Sequence, residues 1–124
     1  MKKIIIKTEK VKMEAELNES KTATAIWNVL PIATEVDTWG DEIYFEIPVK
    51  VGLENGTEEV RAGDLGYWPQ GNCFCIFFGL TPISSAGKIK PASAVSIIGK
   101  LLGAPEKWKE VAADEWISVE KLEG

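Results

Sequence analysis

Histidine is absent from this chain of 124 residues, and arginine and glutamine occur once each, at Arg61 and Gln70. The missing imidazole removes the commonest general base and every Ser-His or Cys-His nucleophile arrangement. Cysteine is scarce: Cys73 and Cys75 are the only two. A structural zinc takes four ligands of the Cys/His type, so neither a metal nor a cofactor is expected. The cysteine spacing also differs from the C-x-x-C of a redox pair. In a strand an i, i+2 pair points to one face, and two thiols there are ordinary wall residues. No apolar run approaches the roughly twenty residues of a membrane-spanning helix, so no membrane association is expected. The opening "MKKIIIKTEK" has the charged head of a signal peptide, but its apolar stretch stops after three isoleucines, too short for a signal core. The expected location is cytoplasmic. Basic runs are lacking as well. With 19 acidic against 14 basic residues and a net charge of -5, nothing is arranged to neutralise phosphates, and nucleic acid is not an expected partner.

What is present fits an ordinary globular chain, 45% hydrophobic and 27% charged. One domain over residues 1–124 is expected, burying roughly two thirds of the unfolded surface, so that a core forms without staples. Abundant Lys and Glu with so little Gln and His also suit a thermophile.

Short strands dominate the pattern. "KKIIIKT" and "VKMEAEL" predict a hairpin, the second strand alternating Val11, Met13, Ala15 and Leu17 against Lys12, Glu14 and Glu16. Ser20 is placed to cap a helix whose Ala23, Ile26, Trp27 and Leu30 share one face, with Trp27 turned to the core and Pro31 ending it. "DEIYFEIPV" predicts a strand, and Asn55-Gly56 a hairpin turn after it. "EVRAGDLGYWP" and "CFCIFFG" predict two more strands, the second apolar on both faces, as in a strand between two layers. "AVSIIGKLLG" continues the sheet, "APEKWKEVA" predicts a second helix starting near Pro105, and "EWISVEKL" a final strand with Ile117 and Val119 inward. The expectation is a mostly β chain of about eight strands and two short helices.

The order of these elements, with several local strings, resembles the cyclophilin family. Cyclophilins open their first helix with K-T-A followed by an aromatic and a leucine, matched here by Lys21-Thr22-Ala23, Trp27 and Leu30. Their later strands are similar to Gly63-Asp64-Leu65-Gly66-Tyr67-Trp68, Ile76-Phe77-Phe78-Gly79, Thr81-Pro82, Gly87-Lys88 and Ile98-Gly99-Lys100-Leu101-Leu102-Gly103. The size and the "YWP" and "FFG" strings look most like small prokaryotic cyclophilin-like proteins. The resemblance implies a closed or nearly closed antiparallel β-barrel with a groove for a proline-containing peptide.

Prolyl isomerisation needs neither acid, base nor metal, because the barrier is amide resonance. An apolar pocket for the ring and a donor aimed at the prolyl nitrogen suffice. Carried over by motif, Phe78 falls on the pocket phenylalanine, and Ile76 replaces a glutamine that contacts the peptide. Trp68 and Pro69 fall on the groove rim beside Tyr67, Tyr44 is a further candidate for the groove lining, and Phe45 or Glu46 stands where the family has its arginine. The string holding that arginine corresponds to Tyr44-Phe45-Glu46-Ile47-Pro48, so the donor is missing, and the family's loop tryptophan and histidine fall near Ser84 and Ile89. Losing one such donor costs on the order of 3 kcal/mol.

Three functions compete. A weak peptidyl-prolyl isomerase would use the Phe78 pocket with Arg61 as a displaced catalytic donor. A non-catalytic module would hold a peptide or small apolar ligand against Tyr44, Tyr67, Trp68 and Phe78. An enzyme of unrelated chemistry would use Glu42 and Asp64 as acid and base. A homo-oligomer paired through an exposed barrel edge is compatible with the sequence, which offers no specific support for it.

Overall fold

Alternation at the start of the chain is realised as a hairpin. In a computed structural model that describes residues 2–122, β1 (Lys2–Lys7) and β2 (Lys12–Leu17) pair antiparallel from Lys2↔Leu17 to Lys7↔Lys12. Ile4, Ile6, Met13, Ala15 and Leu17 are thereby buried on one face. Helix α1 (Lys21–Trp27) starts where Ser20 Oγ accepts from the Ala23 amide at 3.1 Å. Its other free donors, the amides of Lys21 and Thr22, go to the Glu54 carboxylate from a distant loop, at 3.2 and 2.9 Å. Ala23 and Ile26 enter the core. Trp27 does not face it fully: two short turns place Ala23 and Ile26 inward, and the half-buried indole lies at the rim under the ammonium groups of Lys121 and Lys2, 4.9 and 5.9 Å from the ring centre.

The remaining strands are β3 (Ile32–Glu35), β4 (Asp37–Thr38), β5 (Glu42–Glu46), β6 (Asp64–Trp68), β7 (Cys73–Phe77), β8 (Ser96–Leu101) and β9 (Trp116–Lys121). They form one antiparallel sheet in the order β3-β9-β1-β2-β8-β6-β7-β5-β4. The two end strands are consecutive in the chain, separated by Val36 alone, so the sheet curls into a nearly closed barrel. Val36 itself is pinned at the seam, its N–H donating to Glu115 O at 2.9 Å and its carbonyl accepting from Asp114 N at 2.8 Å. The expected barrel architecture is therefore present, with nine strands. The second helix is a 3₁₀ helix, Pro105–Glu110, that buries Trp108 against Met13, whose sulfur accepts from Trp108 Nε1 at 3.3 Å.

Two apolar layers share β7. Phe74 and Ile76 point into the barrel with Ile43, Phe45, Leu65 and Tyr67, and the Phe45 and Phe74 rings stack at 5.1 Å. Cys73, Cys75 and Phe77 point outward, where Val60, Ile89 and Val95 from the long loops cover them. This two-sided burial explains why the strand is apolar throughout. One turn differs from expectation. Asn55 does take a positive φ of 48°, but no hairpin forms there, because β5 pairs with β4 and β7. The segment after Asn55 crosses the outer face instead, bridging Thr57 to Val95 and Val60 to Ile89.

Candidate functional site

The alternation of β5, β6 and β7 decides what reaches the outer face. Glu42 lies opposite Phe77, Tyr44 opposite Cys75, and Trp68 opposite Cys73. These outward positions floor a pocket of about 280 Å³ lined by Trp39, Glu42, Tyr44, Trp68, Pro91 and Val95. Three segments distant in sequence build it.

The first is the β4–β5 turn. Trp39 N donates to Glu42 O at 2.9 Å and Glu42 N returns the bond to Trp39 O at 3.2 Å, which fixes the indole and the carboxyl side by side. Gly40 makes this turn with φ 59°, and a Cβ there would crowd Leu80 O and Pro82. The second is the end of β6, where Trp68 Nε1 donates to Ser93 Oγ at 2.6 Å. The third is the loop after β7. Its neck is tied by the buried Thr81, whose hydroxyl donates to Lys90 O, and by Ser84 Oγ, which accepts from the amides of Thr81 and Lys90 at 2.9 and 3.0 Å. That knot delivers Pro91 and Val95 to the pocket wall.

Glu42 is the polar element of the floor. It is only 6% exposed, and burial pushes its carboxyl up to about 7, against a partial offset from the Cys75 thiol beside it. The neighbouring thiols are pushed up in turn, Cys73 to about 11 by burial and by the carboxylates of Glu46, Glu42 and Asp37, and Cys75 well above its ordinary value, again by burial first. Tyr44 is raised by burial and by Asp37 and Glu42. The whole β4–β5 face is acidic.

Of the residues singled out from the sequence, Trp68 and Tyr44 line this pocket, and Pro69 follows Trp68 at its half-buried edge. Phe78, Ile76 and Tyr67 do not. All three point into the barrel, with 6%, 0% and 0% exposure, because strand alternation that sends Cys75 and Phe77 outward sends Ile76 and Phe78 inward. Tyr67 has a structural role there, its hydroxyl donating to Val49 O. Phe77, not Phe78, belongs to the outer layer. Arg61 is exposed at the opposite end of β6 from Trp68 and outside the pocket lining; its backbone N–H donates to Asp64 Oδ2 at 2.9 Å. Glu42 and Asp64 are likewise not brought together, since β7 lies between their strands. Trp39, Pro91 and Val95 went unnoticed in the sequence; the one local signal was the glycine turn in "TWGDE", which sets Trp39 beside Glu42.

A nearly closed antiparallel barrel with a capped helix is the architecture implied by the family resemblance, and the comparison with known families agrees. The family model described as Cyclophilin-like matches residues 2–120, and the chain belongs to that family. Among solved structures it is similar to a hypothetical protein from Archaeoglobus fulgidus determined in solution, with 42% sequence identity and a TM-score of 0.84 over 98% of this chain and 95% of that one. No curated protein matches the chain. Among the described residues, no helix is long and apolar enough to cross a membrane, and no group of three or more Cys, Asp or Glu side chains is placed to hold a metal ion.

Proposed function

We propose that this protein is a binding member of the cyclophilin-like family that takes a small apolar group, such as the proline ring of a peptide, into the pocket between Trp39, Tyr44 and Trp68. The observation that carries this reading is the pocket itself: about 280 Å³, near the lower end of ligand-site volumes, and walled by aromatic and aliphatic side chains. Isomerase activity is at most weak. Stabilising the twisted amide calls for a positioned donor, and the single guanidinium, at Arg61, stands outside the pocket lining. A peptide would be bound without being turned over appreciably, which favours the non-catalytic form of the reading.

Tryptophan fluorescence titrated with proline-containing peptides tests the binding. A saturable response that disappears in Trp68→Ala is expected, and an unchanged response in that variant rules the pocket out. A proline-peptide isomerisation assay tests the other half. The expected rate lies near background and is the same in Arg61→Ala; a robust rate lost in Arg61→Ala would restore the isomerase reading.

A further inference from the structure

Glu42 is an unusual floor for an apolar pocket. The residue is only 6% exposed, and its carboxyl forms no ion pair among the described residues. A buried carboxylate without a cation is strongly unfavourable. Trp39, Tyr44 and Trp68 line the pocket with Glu42, and aromatic π-systems attract a cation at close range. The surrounding charge has the same sense: Glu46 on β5 and Asp37 on β4 both act on the Cys73 thiol of β7 beneath the pocket. Among the described residues no lysine lines the pocket; Lys88 and Lys90, with Glu58 and Glu59, line the adjoining cleft, which meets the pocket at Pro91.

We propose that the pocket recognises an alkyl-substituted ammonium group, the aromatic rings enclosing its methyl or methylene substituents and the Glu42 carboxylate balancing its charge. The inference rests on the reading of this pocket as the protein's binding site and names the chemistry of what enters it. The degree of substitution follows from the lining. A primary ammonium carries three N–H donors that need acceptors, whereas a highly substituted one carries one or none and presents mostly carbon to a wall that is mostly carbon. A volume of about 280 Å³ suits such a head group or a single modified side chain.

Choline and dimethylbutanol, its neutral isostere with carbon in place of nitrogen, form the probe pair, titrated by calorimetry and tryptophan fluorescence at about pH 8, where a Glu42 carboxyl of pKa about 7 is ionised. Cation–π and charge pairing in a desolvated site predict that the wild type binds choline about tenfold more tightly than the isostere. Glu42→Gln should erase that preference, bringing the two affinities together. A second measurement needs no variant. On lowering the pH to about 5 the preference should collapse, because Cys73, Cys75 and Tyr44 stay uncharged throughout that range and Glu42 alone among the pocket's lining residues takes up a proton. Equal affinity for the two probes, or a choline preference that survives both Glu42→Gln and the lower pH, overturns the ammonium assignment. If neither probe binds but a proline peptide still quenches Trp68, the ammonium assignment falls and the pocket reading stands. If neither the probes nor the peptides bind, the pocket reading falls with it.

Discussion

The indole of Trp68 and the hydroxyl of Ser93 are joined by a 2.6 Å hydrogen bond that ties the end of β6 to the loop covering the outer face. This bond holds the orientation of a ring that forms one wall of the pocket. Ser93→Ala should destabilise the fold by about 1 kcal/mol, the usual net value of a partly exposed hydrogen bond, and shift the tryptophan emission as the ring gains freedom. Urea unfolding and an emission spectrum check both. An unchanged spectrum would mean that the ring is held by packing alone.

Glu42 gives the protein a pH-dependent stability of definite sign. Its folded pKa of about 7 lies above the ordinary 4.5, so the folded state holds the proton more tightly than the unfolded chain does. The resulting stabilisation is complete below about pH 4.5 and is lost as the pH rises through about 7, a change of about 3 kcal/mol if the full shift is expressed. Gln at this position cannot titrate. Denaturation at several pH values should show Glu42→Gln lacking this decline and exceeding the wild type above neutrality; identical profiles for the two proteins would refute the assignment.

The two thiols should be inert in the folded protein. At about pH 8 a thiol raised from 9 to about 11, as in Cys73, has about a hundredfold less thiolate than usual, and the Cys75 thiol is likewise held protonated by its burial. Iodoacetamide followed by mass spectrometry should therefore label neither residue in buffer and both in urea. Rapid labelling of Cys75 in buffer would contradict its burial.

Gly99 lies where the backbone of a neighbouring strand leaves no room for a side chain. It pairs with Leu17 on one side and Leu65 on the other, and a Cβ there would run into the carbonyl oxygen of Glu16. A backbone atom cannot swing aside as a flexible side chain can, so Gly99→Ala should cost about 3 kcal/mol, at the upper end of overpacking penalties. Gly52→Ala, at a site with no neighbour within 4 Å, is the matched control and should fall within about 0.5 kcal/mol of the wild type.

The barrel was legible in the sequence because its strongest signals are local. Alternation at Val11 to Leu17, the Ser20 cap and the inward pair Ile117 and Val119 each specify an element without reference to the rest of the chain. The doubly apolar "CFCIFFG" also stated correctly that β7 lies between two layers. It could not state which phenylalanine faces which layer, since that phase is set by pairing with β5 and β6, and the family alignment alone placed Phe78 where the outer layer holds Phe77. The pocket was harder still. Trp39, Trp68 and Val95 come from three separated segments, so no spacing in the sequence announces them. Glu42 was visible as a carboxylate, but its elevated pKa is a property of the surfaces folded around it.

The seam at Val36 bears on how this protein can meet another chain. The two strands that end the sheet have four and two residues, and the peptide between them is already engaged by Asp114 and Glu115. A partner seeking to extend the sheet by main-chain pairing finds only a short template there. On the pocket reading proposed above, recognition would fall to side chains on the outer wall, and a partner would be distinguished by what it inserts beside Trp68 rather than by a length of backbone laid along an edge.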